Sequence, residues 1–166
     1  MRPVCPACAT EVIKPFGYIN SDILIIGDAP AKKELEKGKP YTGPTGKVLR
    51  AEMKRVGINL YNCRITNLWL HAPNGEENCI DAGKNVCLEE AKGRKAILLI
   101  GAIPVEFFTG YKVSEVSGLE VDVNMFSAQI VYAMYQPAVV WQNMGVGEIR
   151  FALENFANRL REEDIL

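Results

Sequence analysis

Residues 23–50 read ILIIGDAPAKKELEKGKPYTGPTGKVLR, and this stretch decides the fold. Ile23 to Ile26 is a short, continuous apolar run between polar and turn residues, the pattern of a buried strand. The strand stops at Gly27-Asp28-Ala29-Pro30, because Gly27 permits tight backbone geometry and Pro30 cannot continue a ladder. Asp28 is therefore expected at the C-terminal end of a buried strand, where open α/β sheets form their ligand crevice. A loop with two Gly-Pro or Lys-Pro breaks follows, then a helix from about Thr45 to Arg55. Val48, Leu49, Met53 and Val56 recur at helical spacing, and Gly57 is the stop.

Working outward, the same alternation repeats. Asn62 to Leu70 reads as a second strand running into the turn-rich His71-Ala72-Pro73-Asn74-Gly75. Asn78 to Lys92 reads as a helix and Lys95 to Gly101 as a third strand. Ile103 to Phe108 starts a short helix. Gln129 to Tyr135 is the last strand, ending at Gln136-Pro137-Ala138. The final helix spans about Glu148 to Glu162, with Ile149, Leu153, Phe156 and Leu160 on one face. Strands alternating with helices predict a three-layer α/β/α sandwich around a central, mainly parallel four-stranded sheet. A chain of 166 residues suits one domain, 1–166, with a metal-binding region formed by 5–8 and 71–87.

The net charge of −1 carries no global nucleic-acid signal, but its distribution does. Between Ala31 and Arg55 eight basic residues face three acidic ones, a local flank that suits an anionic partner such as DNA. No stretch approaches the roughly 18 apolar residues of a membrane span. The N-terminal MRPVCPACATEV lacks an apolar signal core, so a cytoplasmic protein is expected. Five cysteines in that reducing compartment argue for metal or cluster ligation over disulfides. Cys5-Pro6-Ala7-Cys8 is a ligand pair that needs a second pair.

In such a sheet three polar residues converge at or near strand ends: Asp28, Asn67 and Gln136, with Tyr41 in a facing loop. A carboxylate, amides and an aromatic ring make a pocket for a flat, neutral, hydrogen-bonding ligand. An amide pairs with a base edge through one donor and one acceptor, and a ring stacks on the base. Gly43-Pro44-Thr45-Gly46-Lys47 hints at a phosphate loop but fails it: Tyr41 stands where a Gly is needed, and Val48 where a Ser or Thr is needed.

Four segments, taken in order, resemble the uracil-DNA glycosylase superfamily, most closely its family 4 iron–sulfur enzymes. Gly27-Asp28-Ala29-Pro30-Ala31 is similar to that family's Gly-Glu-Ala-Pro-Gly. Residues 38–47, GKPYTGPTGK, are similar to Gly-Arg-Pro-Phe-Val-Gly-x-Ala-Gly-Lys. Ile65-Thr66-Asn67 matches Ile-Thr-Asn, and Gln136-Pro137-Ala138 is similar to His-Pro-Ala. The resemblance implies hydrolysis of the bond between uracil, or a related modified base, and deoxyribose in DNA, leaving an abasic site. It places Tyr41 on the flipped base, Asn67 on its edge, and Gly27 and Ala29 in the same substrate pocket. It makes Asp28 and Gln136 the catalytic pair. Within 139–143 it makes Val140 and Trp141 the wedge that enters the duplex. A monomer is expected.

The departures matter as well. Gln136 replaces a His that donates to the base O2, Asp28 is shorter than Glu, Ala31 replaces a Gly, and Gln142 replaces an Arg of the wedge loop. Reduced activity follows; the alternative is a glycosylase-like DNA-binding module without chemistry, in a replication or repair assembly. For the metal, the resemblance implies Cys5, Cys8, His71 and Cys87, since Cys87 lies sixteen residues after His71 as in the family's second pair. Cys79 is the rival third ligand in place of His71, stronger by residue type but poorer by spacing, eight residues from Cys87. A [4Fe–4S] cluster is the first choice and structural zinc the second.

Overall fold

The computed structural model describes residues 2–142 and 144–166. In chain order the strands are β1 (Phe16–Gly17), β2 (Ile23–Gly27), β3 (Arg64–Asn67), β4 (Ala96–Ile100) and β5 (Ile130–Met134). The helices are α1 (Lys32–Lys37), α2 (Pro44–Arg55), α3 (Glu77–Ala91), α4 (Ala102–Thr109), α5 (Val113–Val116) and α6 (Gly147–Glu162). Short 3₁₀ turns occupy Leu60–Asn62 and Pro137–Trp141. The sheet order is β1-β3-β2-β4-β5, with β3, β2, β4 and β5 parallel and β1 antiparallel at the edge.

The four parallel strands are those expected, and the layers are α/β/α. The fifth strand, β1, was not foreseen: it is only two residues long and sits in a Pro- and Gly-punctuated segment without alternation. Ile23 and Ile25 enter one core with Leu49 and Met53 of α2 and Leu153 and Phe156 of α6. Leu24 and Ile26 enter the other with Cys87 of α3 and Val105 and Phe108 of α4. The sheet is thus covered on both faces, which is why β2, β4 and β5 are nearly continuous apolar runs rather than alternating.

β3 is shorter than the span 62–70. The Asn59 side chain accepts the Tyr61 N–H and winds the start of that span into a 3₁₀ turn. Beyond β3 the pairing still continues, as the Leu68 and Trp69 N–H groups donate to the Gly27 and Asp28 carbonyls, both at 3.0 Å. α1 was also not foreseen, since it buries no residue and so carries no apolar stripe. A partly buried ion-pair network fixes the far end of the sheet, where Arg64 and Arg94 both meet the Glu90 carboxylate. Among the described residues no helix is long and apolar enough to cross a membrane.

The chain leaves β2 for β3 on one side and reaches β4 on the other. A crevice therefore opens beyond the C-terminal ends of β2 and its neighbours, at the point where the strand order reverses.

Candidate functional site

Asp28, Tyr41, Asn67 and Gln136 line one cavity of about 520 Å³ at that crevice. This volume lies within the range of small-molecule sites. Each wall has an identifiable local cause.

Gly27 and Asn67 are direct neighbours in the β2–β3 register. Asn67 is only 6% exposed, yet among the described residues its side chain meets no hydrogen-bonding protein group. Only its backbone carbonyl is engaged, by the Cys87 thiol at 3.7 Å. A Cβ on Gly27 would come within 2.6 Å of both Asn67 Oδ1 and the Tyr41 hydroxyl. Glycine is therefore what leaves room above the amide.

Tyr41 is a non-glycine residue at φ 57°, a conformation that must be imposed by its surroundings. The Glu34 carboxylate accepts the N–H of Tyr41 and that of Ala31, while the Tyr61 hydroxyl contacts the carbonyls of Pro40 and Tyr41. Gly46 completes the clamp, because a Cβ there would lie 2.1 Å from the Tyr41 carbonyl oxygen. Burial, with Asp28 and Glu34 nearby, raises the Tyr41 pKa, so the ring stays neutral.

Asp28 accepts the Ile103 N–H at 3.3 Å, at the start of α4. Its carboxyl is packed against Gly101, where a Cβ would lie 2.2 Å from Asp28 Oδ1 and where φ is 105°. Burial pushes the Asp28 pKa up to about 6, and the Ile103 hydrogen bond opposes this. Gln136 follows β5 and uses its Oε1 to accept the Ala138 N–H at 2.7 Å. Its amide N–H₂ is left for the cavity.

The expected wedge pair divides. Val140 is half-buried against the α2–α6 core, whereas Trp141 is 59% exposed and Met144 is also exposed. Asn143, the end of the expected wedge segment, lies outside the described residues. Lys32 and Lys33 stand at the mouth of the cavity, and Lys39 lies over the Tyr61 ring at 4.4 Å.

A second cluster lies behind this cavity. The ligand atoms of Cys5, Cys8, His71 and Cys79 are all within 4.8 Å of one another, a group able to hold a metal. The Cys8 sulfur is 3.4 Å from His71 Nε2, and His71 Nδ1 is 2.8 Å from the Ala72 carbonyl. Hydrogen bonds from Thr10 hold the Cys8 pKa down to about 6. Cys87 is corrected: it is not part of the group. It is fully buried between α3 and the sheet, with its pKa pushed up to about 12 by burial. Cys79 takes its place, two residues into α3. A spacing of sixteen residues from His71 favoured Cys87, but Cys87 lies on the side of α3 that packs on the sheet, whereas Cys79 in its first turn joins the knuckle.

Three residues that support Asp28 and Tyr41 were not singled out from the sequence. Gly101 was legible as the glycine that ends an apolar strand, like Gly27. Glu34 and Tyr61 act through loop contacts and left no signal.

Layered α/β/α architecture, with a carboxylate, an amide and a tyrosine at the switch-point crevice, defines an α/β protein with a polar cavity beyond its strand ends. The family is narrower. A family model described as the Uracil DNA glycosylase superfamily matches residues 14–160, and the chain belongs to that superfamily. A Type-4 uracil-DNA glycosylase of Archaeoglobus fulgidus is 27% identical over 146 residues, covering 79% of this chain and 72% of the relative. One of Thermotoga maritima is 24% identical over 165 residues, covering 91% of this chain and 85% of the relative. A third, from Sulfurisphaera tokodaii, is 32% identical over 60 residues, 36% of this chain and 27% of the relative.

Proposed function

We propose that this chain hydrolyses the N-glycosidic bond of uracil, or of a closely related modified base, in DNA. The convergence of Asp28, Tyr41, Asn67 and Gln136 on one cavity carries this reading. One copy of the chain supplies all four groups, so a monomer suffices and residues 1–166 act as one domain. Its cysteines are free, which fits a reducing compartment such as the cytoplasm.

The base leaves the stack, and Trp141 fills the space it vacates. Tyr41 packs on the extruded ring, and the Asn67 amide pairs with its edge. The bond between C1′ and the base nitrogen breaks, and the electron pair goes to the base. Gln136 donates an N–H to the ring oxygen that gains charge, and ionised Asp28 offsets the positive charge on the sugar. Water adds its hydroxyl to C1′ and its proton ends on the released base, leaving an abasic site.

Turnover is slow on this reading. Gln136 is a weaker donor than an imidazole, and losing one good donor of this kind costs about 10²–10³ in rate. The same replacement favours a second reading, in which the chain binds DNA bases within a replication or repair assembly without cutting the bond. Incubation with a uracil-containing oligonucleotide, followed by alkali, separates the two. Strand cleavage at uracil supports the glycosylase. Binding without cleavage, unchanged in Gln136→His, supports the binding module.

A further inference from the structure

We infer that Cys5, Cys8, His71 and Cys79 hold a single zinc ion in place of the iron–sulfur cluster that the family resemblance implies. The separations decide this. Zn–S bonds of about 2.3 Å and Zn–N bonds of about 2.0 Å, arranged tetrahedrally, set the four donor atoms about 3.5–3.8 Å apart. In a [4Fe–4S] cube each donor binds a different iron and points outward, so the donors stand about 6 Å apart or more. Here all four lie within 4.8 Å of one another, and Cys8 Sγ is 3.4 Å from His71 Nε2. These separations fall short of those a cube requires and approach those of a single tetrahedral ion.

The surroundings fit an ion as well. The His71 Nδ1 contact with the Ala72 carbonyl puts the proton on Nδ1 and turns the Nε2 lone pair toward the sulfurs. The Asn74 amide donates to the Cys79 sulfur at 3.6 Å, a contact that orients a thiolate ligand. At the knuckle, Ala9 at φ 60° folds the chain back, so that the Cys5 N–H donates to the Thr10 carbonyl at 2.7 Å. Cys5, His71 and Cys79 are buried. Three cysteines and one histidine with no open position form a structural zinc set, and zinc has no redox chemistry. The site therefore fastens the N-terminal knuckle to the loop after β3 and to the start of α3. This assignment does not depend on whether the neighbouring cavity is catalytic.

The test uses the whole chain, produced in cells given both iron and zinc and purified without chelators. Elemental analysis is expected to find about one zinc per chain, with no acid-labile sulfide and no absorbance at about 400 nm. Replacement of the ion by cobalt(II) is expected to give the visible bands of a tetrahedral thiolate site. Cys79→Ser is expected to lose the ion or bind it far more weakly, whereas Cys87→Ser keeps it. A brown protein with several irons and matching sulfide overturns the proposal, as does a chain that takes up neither zinc nor cobalt. Loss of zinc in Cys87→Ser, with unchanged circular dichroism, overturns the ligand set. Because cobalt spectra are read on the unmodified chain, the test survives a variant that fails to fold.

Discussion

Gly27 and Asn67 stand side by side at the ends of β2 and β3, and the missing side chain of the first exposes the amide of the second. Gly27→Ala places a methyl group 2.6 Å from Asn67 Oδ1 and from the Tyr41 hydroxyl. Both must shift, at a cost of about 1–3 kcal/mol. The expected outcome is a folded protein with lower thermal stability and about tenfold or greater loss of affinity for a uracil-containing strand. Fluorescence anisotropy with matched uracil and thymine oligonucleotides checks it. Unchanged discrimination between the two would remove Asn67 from the pocket.

Asp28 sets the pH dependence. Burial lifts its pKa from 3.8 to about 6, so the fold favours the neutral acid. Its contribution to stability is fully present below about pH 3.8 and is lost as pH rises through about 6. Chemistry needs the ionised form, so the excision rate is expected to rise through about pH 6 and then level off. Asp28→Asn is expected to abolish that step and to slow excision by about 10²-fold or more, while its melting temperature at neutral pH does not fall. Single-turnover rates across pH, beside melting curves, measure both effects.

Gln136→His tests the donor. Gln136 Oε1 already takes the Ala138 N–H, so only its amide N–H₂ serves the base. An imidazole is a better donor to developing charge, and a gain of about 10²-fold in the single-turnover rate is expected. Base affinity should change little. A rate that stays the same, in a variant that still binds, shows that the donor was not limiting.

Trp141→Ala separates base extrusion from chemistry. The ring is largely exposed, so stability should change by no more than about 0.5 kcal/mol. Excision from duplex DNA is expected to fall about tenfold, and excision from a single strand much less, because there is less stacking to break. Equal losses on both substrates would falsify the wedge role.

Much of the fold was legible because β2, β4 and β5 are largely apolar runs closed by a glycine or followed by a polar residue. Ile23–Ile26 followed by Gly27-Asp28 is the clearest case. The convergence of Asp28, Asn67 and Gln136 on one cavity was legible because they stand at or just after the C-terminal ends of parallel strands. The supports of Tyr41 were not legible. Glu34 reaches it from α1 and Tyr61 from a 3₁₀ turn, and neither contact has a sequence period. His71 and Cys79 were rivals for one ligand place, yet both lie in the cluster and Cys87 does not, because spacing along the chain does not reveal which side of α3 faces the knuckle. Cys87 instead became a core residue on the inner face of α3.

The continuation of β3 past Asn67 has one more consequence. Leu68 and Trp69 remain paired to Gly27 and Asp28, so a hydrogen-bonded ribbon joins Asn67 to His71. An ion on His71 and a base on Asn67 then pull on opposite ends of the same ribbon. Thermodynamic reciprocity makes their influence mutual: any factor by which the ion tightens base capture is also the factor by which a captured base tightens the ion. DNA carrying an extruded base would then act as a guard of the metal, and the chain would surrender its ion to a chelator less readily on its substrate than alone.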